Sequence, residues 1–109
     1  MNYNLKTIPQ FDKQFKKLVK KYASFYSDFI SLIETLKVNP HLGSSIGQNC
    51  YKIRLAISSK VKGKRGGARV ITNFIVSEKT IYLLSIYDKS EKANISNKEL
   101  EILLKQIPD

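Results

Sequence analysis

The spacing of apolar positions along the chain changes twice, and the changes divide it into elements. Tyr3 to Ile8 is a short mixed segment of strand character, and Pro9 stands where prolines open helices. Phe11, Phe15, Leu18, Val19 and Tyr22 then recur at i, i+4, i+7, i+8 and i+11, the stripe of an amphipathic helix whose other face carries Lys13, Lys16, Lys17, Lys20 and Lys21. Ser24 is placed to cap a second helix with Phe25, Phe29, Leu32, Ile33 and Leu36 as its stripe, and Asn39-Pro40 closes it. The tight join makes the two an antiparallel pair. His41 to Asn49, with Gly43, Gly47 and several serines, shows no period and reads as a loop.

From Tyr51 the period falls to two. Tyr51, Ile53, Leu55 and Ile57 alternate with Lys52, Arg54 and Ala56, a strand with one core face and one basic face. Ser58 to Gly67 is a connection, Ala68 to Val76 a strand with Val70, Phe74 and Val76 on its core side, and Ser77 to Lys79 a turn. Ile81 to Ile86 is nearly continuous apolar sequence, as in a central strand buried on both faces. Asn94 to Ser96 introduces a last helix with Leu100, Leu103, Leu104 and Ile107 on its apolar side. The order β-α-α-β-β-β-α belongs to the α+β class, a small antiparallel-type sheet packed against an N-terminal helical hairpin. With 109 residues, 42% of them hydrophobic, one core and one domain over 1–109 are expected.

Charge narrows the range of partners. Nineteen Lys and Arg stand against nine acids, a formal charge of +10, and such a chain seeks polyanions. Neither a run of about 18 apolar residues nor an N-terminal apolar stretch occurs, so a cytoplasmic protein with no membrane partner is expected. Cys50, the single cysteine, cannot form an internal disulfide, and with His41 the single histidine the ligands fall short of a structural zinc site. Cys50 reads as a small buried or strand-edge residue and His41 as a surface one.

The cations are concentrated. Lys52, Arg54, Lys60, Lys62, Lys64, Arg65 and Arg69 fall in one interval that holds no acid. If odd positions of the first hairpin strand face the core, Lys52 and Arg54 share the opposite face, and the parity of Val70, Phe74 and Val76 sends Arg69 there too. Three cations converging beside a lysine- and glycine-rich loop make a phosphate site. Lys62 to Gly67 lacks the GxxxxGK[ST] spacing and a following helix start, which excludes a nucleotide-hydrolysing P-loop. The acids are scattered, so cleavage of a phosphodiester here would be metal-independent and cofactor-free. RNA permits that, because its 2′-hydroxyl can attack the neighbouring phosphorus. Arg54 and Arg69 suit the charge on the crowded phosphate, and Lys52 is a candidate base whose neutral form its cationic neighbours favour. A second cluster, Tyr87, Asp88, Lys89, Ser90, Glu91 and Lys92, follows the central strand. There Lys89 and Lys92 are candidate phosphate contacts, and Tyr87 a candidate stacking or proton-donating group.

These residues resemble the RelE/ParE superfamily of type II toxins, most closely its RelE and HigB-like mRNA interferases. The resemblance rests on Cys50-Tyr51-Lys52-Ile53-Arg54-Leu55, Gly66-Gly67-Ala68-Arg69-Val70-Ile71, and Ile81-Tyr82-Leu83-Leu84 leading to Tyr87-Asp88-Lys89-Ser90-Glu91-Lys92. It implies a ribosome-dependent endoribonuclease that cuts mRNA in the A site and is silenced by a cognate antitoxin, often of helix-turn-helix type. By the same resemblance Lys52, Arg54, Arg69 and Lys89 match basic catalytic positions, with Tyr87 beside them, while Lys60, Lys62, Lys64, Arg65 and Lys92 are expected to bind RNA. The tyrosine that some RelE members carry farther along falls near Ile95 here, so either Tyr87 substitutes or the cations act alone. A ParE-like toxin that binds gyrase, and a non-catalytic RNA- or ribosome-binding protein, are the alternatives on the same fold.

Overall fold

A computed structural model describes residues 2–60 and 66–108 of the chain. Strand β1 (Asn4–Thr7) leads into helices α1 (Pro9–Lys21) and α2 (Phe25–Val38). Strands β2 (Ser44–Gly47), β3 (Cys50–Leu55), β4 (Ala68–Ile75) and β5 (Thr80–Asp88) follow, and α3 (Asn97–Leu104) comes last. The five strands form one sheet in the order β1-β5-β4-β3-β2. Neighbours are antiparallel except β1, which runs parallel to β5 with Asn4 opposite Thr80 and Thr7 opposite Leu83. The sheet is therefore mixed, where an antiparallel one was expected. The helical hairpin carries the chain from one edge of the sheet to the other, and that crossover leaves β1 beside β5 in the same direction.

Both apolar stripes are realised. Phe11 and Leu18 of α1 and Phe25, Phe29, Leu32 and Leu36 of α2 are buried with Ile53, Leu55, Val70, Phe74, Ile81 and Ile86 of the sheet. The Phe15 ring lies 4.7 Å from that of Phe29, tilted by 54°, and so ties the two helices together. Pro9 occupies the first turn of α1, where its missing N–H leaves nothing unsatisfied, and Asp12 and Lys20-Lys21 suit the two ends of the helix dipole. β5 is buried at every position, as the continuous apolar run predicts, with α1 packed on one side and α3 on the other.

Four local expectations are corrected. Ser24 stands before α2 without capping it: its hydroxyl donates to Asp28 Oδ2 at 2.9 Å and accepts from the Ser59 amide at 2.8 Å, so the turn after β3 has claimed it. Part of the expected His41 to Asn49 loop is strand β2, paired with β3 through Ser44 to Lys52 and Gly47 to Cys50. An edge strand of serine and glycine needs backbone pairing alone and leaves no apolar period to read. Val76 is not core but 67% exposed, because β4 stops at Ile75 and a single 3-10 turn follows, closed by Lys79 in the left-handed region at φ 49°. Ile107 lies past the end of α3, although it still packs against the core. Cys50 is buried and His41 exposed, as expected. His41 Nδ1 lies 2.7 Å from the Tyr51 hydroxyl.

Three contacts fix the sheet end that carries the basic residues. Gly67 lies so close to β3 that an added Cβ would sit 2.2 Å from the Leu55 carbonyl oxygen. β1 stops opposite Leu83, and the Gln14 side-chain oxygen takes over beyond it, accepting from the Ile86 amide at 3.0 Å and the Ser85 hydroxyl at 3.1 Å. Among the described residues Asp88 is the one buried acid. Its carboxylate accepts from the Tyr22 hydroxyl, from the Ser90 amide at 2.9 Å and hydroxyl at 2.7 Å, and from Lys60 Nζ at 3.2 Å. Burial works against ionisation, but these donors together hold the Asp88 carboxyl well below the usual carboxylate range.

Two stability predictions follow from this geometry. Gly67→Ala should cost about 1–3 kcal/mol, read from a shifted urea midpoint, since the clash is with backbone that cannot rotate away. Because the folded carboxyl titrates lower than the unfolded one, Asp88 contributes stability that is complete above the ordinary carboxylate range and fades as pH falls through and below it. Asp88→Asn should therefore flatten the acid limb of the stability profile and cost on the order of 2 kcal/mol at pH 7, measured by denaturant titration across pH.

Candidate phosphate-binding site

Cross-strand register builds the site. Arg54 of β3 lies directly opposite Arg69 of β4, and Arg69 directly opposite Tyr87 of β5. Paired residues share a sheet face, so these three side chains form one row across three strands. Lys52, two residues before Arg54, heads the next row with Ile71 and Ser85. The parity argument thus places Lys52, Arg54 and Arg69 as expected, and the register adds Tyr87 to them.

The face is not open. The segment entering α3 crosses it: Lys52 Nζ donates to Asn94 Oδ1 at 3.2 Å, and Lys92 Nζ sits 5.8 Å from the centre of the Tyr87 ring while pairing with Glu99. Ser96 caps α3 in a reciprocal box with Glu99, each accepting from the other's backbone amide at 3.1 Å. Under this cover Arg69 is 2% exposed and Tyr87 6%, whereas Arg54 is exposed and Lys52 half-buried.

Burial shapes the chemistry. The Arg69 guanidinium, with one nitrogen donating to the Ala68 carbonyl at 3.1 Å, is pushed down first by burial and then by the Arg54 charge, and Tyr87 opposes the shift. An arginine nonetheless keeps its proton, so Arg69 holds a fixed positive charge in a poorly solvated place behind exposed Arg54. Burial likewise pushes the Tyr87 phenol up; Arg69 pulls it down and Glu99 raises it further. Tyr87 is therefore neutral at physiological pH. Its hydroxyl and that of Thr72 are the buried side-chain polar atoms without a hydrogen-bond partner among the described residues. Leaving such a group unpaired costs about 1–3 kcal/mol.

The remaining basic residues are dispersed. Lys89 is exposed, and its amide donates to the Gly67 carbonyl at 3.0 Å, which draws the 88–92 turn to the start of β4. Lys60 belongs to the helix side of the sheet, paired with Asp88 and 5.3 Å from the Tyr22 ring centre, not to the Arg54 row. Lys62, Lys64 and Arg65 lie outside the described residues. Among the described residues no group of three or more His, Cys, Asp and Glu side chains is placed to hold a metal ion, and no helix is long and apolar enough to cross a membrane. Asn94 and Glu99 were missed as parts of the site, and Asp88, named in the second cluster, turns to the helix side of the sheet instead. The Ser96-x-x-Glu99 spacing was a legible helix-start signal, but the partners of Asn94 and Asp88 are 42 and 66 residues away and leave no local mark.

Solved structures share this architecture. A double mutant of the E. coli toxin RelE in the free state aligns over 99% of this chain and 100% of its own, with TM-score 0.67 and 17% identity. RelE in the intact E. coli RelBE toxin-antitoxin complex aligns over 79% and 95%, with TM-score 0.61 and 18% identity. The RelBE2 toxin-antitoxin complex from Mycobacterium tuberculosis aligns over 81% and 92%, with TM-score 0.57 and 12% identity. At these identities the likeness speaks for the fold. The sequence itself goes further, since residues 10–107 match the family described as the RelE toxin of the RelE / RelB toxin-antitoxin system. With the β-α-α-β-β-β-β-α order and the arginine row in place, this chain belongs to the RelE family of toxins from type II toxin-antitoxin systems.

Proposed function

We propose that the chain is a metal-independent endoribonuclease that cuts mRNA on the ribosome, in the cytoplasm, using the face that carries Lys52, Arg54, Arg69 and Tyr87. The observation that carries this reading is the Arg54-Arg69-Tyr87 row, in which two like charges lie directly opposite each other and a buried phenol hydroxyl has no hydrogen-bond partner among the described residues. Like charges opposite one another in a sheet are destabilising, and an anion between or above them reverses the sign. Exposed Arg54, with Lys52, grips the scissile phosphate, and buried Arg69 strengthens the field from beneath. The 2′ oxygen attacks phosphorus, its proton passes to solvent, and the bond to the 5′ oxygen breaks. The neutral Tyr87 phenol donates the proton that the leaving oxygen needs. Lys89 and Lys92 extend the cationic surface along the RNA.

The partner that silences the chain is, in this reading, an antitoxin, as in the solved RelBE complexes. A groove of about 710 Å³ runs between α2 and β3, with Leu32, Leu42, Ile53 and Leu55 among its apolar lining and Lys52 and Arg54 at its edge. It suits an amphipathic segment carrying acidic residues, and a helix-turn-helix protein with such a segment fits the charge of +10.

Induced expression of the wild type and of Arg54→Ala, with primer-extension mapping of mRNA ends, tests the activity. Growth arrest with in-frame cuts in the wild type and loss of cuts in the variant is the expected outcome. Arrest without cuts would point to a gyrase-binding toxin, and absence of arrest to a non-catalytic RNA-binding relative. Tyr87→Phe separates chemistry from folding: cleavage of ribosome-bound mRNA should fall about 10²-fold or more, while the chain becomes no less stable in a urea melt. A parallel loss of both would assign Tyr87 to the fold.

A further inference from the structure

Glu99 is bonded through both of its carboxylate oxygens. Oε1 accepts from the Ser96 amide at 3.1 Å, which completes the capping box of α3, and Oε2 takes the ammonium of Lys92. The cap requires only the first of these, and a glutamine would supply it equally. The second bond serves a different purpose. Lys92 lies in the segment that crosses the basic face, and its Nζ sits 5.8 Å from the centre of the Tyr87 ring. The charges that the sheet contributes to this face, Lys52 and Arg54 from β3 and Arg69 from β4, are all cations and repel Lys92. Glu99, in the first turn of α3, supplies the opposite charge that draws it in.

The consequence falls on the phenol. Tyr87 ends the row that starts at Arg54, and its buried hydroxyl has no hydrogen-bond partner among the described residues to fix the ring. A cation against the ring, with a carboxylate holding that cation, does so instead. We infer that Glu99 is a positioning residue of the cleavage reaction: by holding the Lys92 ammonium over the Tyr87 ring it keeps the phenol at the end of the arginine row, where it protonates the leaving 5′ oxygen. Its charge works in the same direction. Burial pushes the Tyr87 phenol up, Arg69 pulls it down, and Glu99 raises it again. An ammonium carries three protons, so half-buried Lys92 serves Glu99 and still meets RNA.

This inference rests on the endonuclease reading for the acid role of Tyr87, and the first of its two tests is independent of that reading. Glu99→Gln isolates the second bond, since glutamine keeps the cap through its carbonyl oxygen but turns an NH₂ group toward Lys92. In protein labelled with ¹³Cζ-tyrosine, the Tyr87 signal, assigned by its loss in Tyr87→Phe, should ionise at lower pH in Glu99→Gln than in the wild type. The urea midpoint should barely move, because a partly exposed ion pair contributes little to stability. An unmoved Tyr87 titration, or a urea midpoint that falls in step with activity, would overturn the positioning role. On programmed ribosomes, Glu99→Gln should lower kcat on the order of ten-fold with KM unchanged, since the groups that grip the phosphate are untouched. In the Tyr87→Phe background the same substitution should have no further effect on kcat. An unchanged kcat in the single variant, or a further fall in the double one, would also overturn it. A wild type whose Tyr87 titration responds to Glu99→Gln but which cuts no mRNA would leave the hold on the phenol standing and remove the endonuclease reading.

Discussion

Strand β5 is enclosed on four sides, and the rest of the molecule is arranged to achieve this. β1 and β4 satisfy its backbone along both edges, Gln14 completes the edge where β1 ends, and α1 and α3 pack against it. A strand buried throughout cannot leave amides unpaired, because each would forfeit its bonds to water without replacement. That requirement explains why a short polar strand at the N-terminus is retained, and why a carboxamide from a helix reaches into the sheet. It also explains Asp88. The strand ends in a carboxylate that would be intolerable in the core alone, and it is tolerated because Tyr22, Lys60 and Ser90 surround it.

The same enclosure gives the basic face its character. Because α3 must cover β5, its entry segment also covers Arg69 and Tyr87, which turns a surface cluster into a buried one with Arg54 left at the opening. Burial raises the worth of the Arg69 charge and keeps the phenol protonated, at the cost of two arginines facing each other and a Tyr87 hydroxyl with no hydrogen-bond partner among the described residues. Stability alone would select neither feature. The buried carboxylate and buried Arg69 lie on opposite faces of the sheet end, Asp88 toward α1 and the Arg69-Tyr87 row toward α3, so the acid steadies the turn without neutralising the row.

Much of this could be read in the linear chain, and the reason is that its signals are local. A helix stripe such as Phe11, Phe15 and Leu18 or an alternation such as Ile53 and Leu55 against Lys52 and Arg54 reports which side of an element avoids water, whatever the partner. The acid-free interval from Lys52 to Arg69 likewise marks a cationic face without any knowledge of the fold. Register and partner choice are different, because they depend on residues far apart in sequence. Nothing near Lys60 announces that it pairs with Asp88 instead of standing free for RNA, and nothing near Tyr87 announces a row with Arg69 and Arg54. The strand character of Ser44–Gly47 and the parallel pairing of β1 come from backbone bonding to strands already in place, which side-chain periodicity does not encode. Local chemistry therefore sufficed for the elements and their charged face, whereas the depth of Arg69, the burial of the Tyr87 hydroxyl and the seat of Lys92 over the Tyr87 ring exist only once the elements are packed.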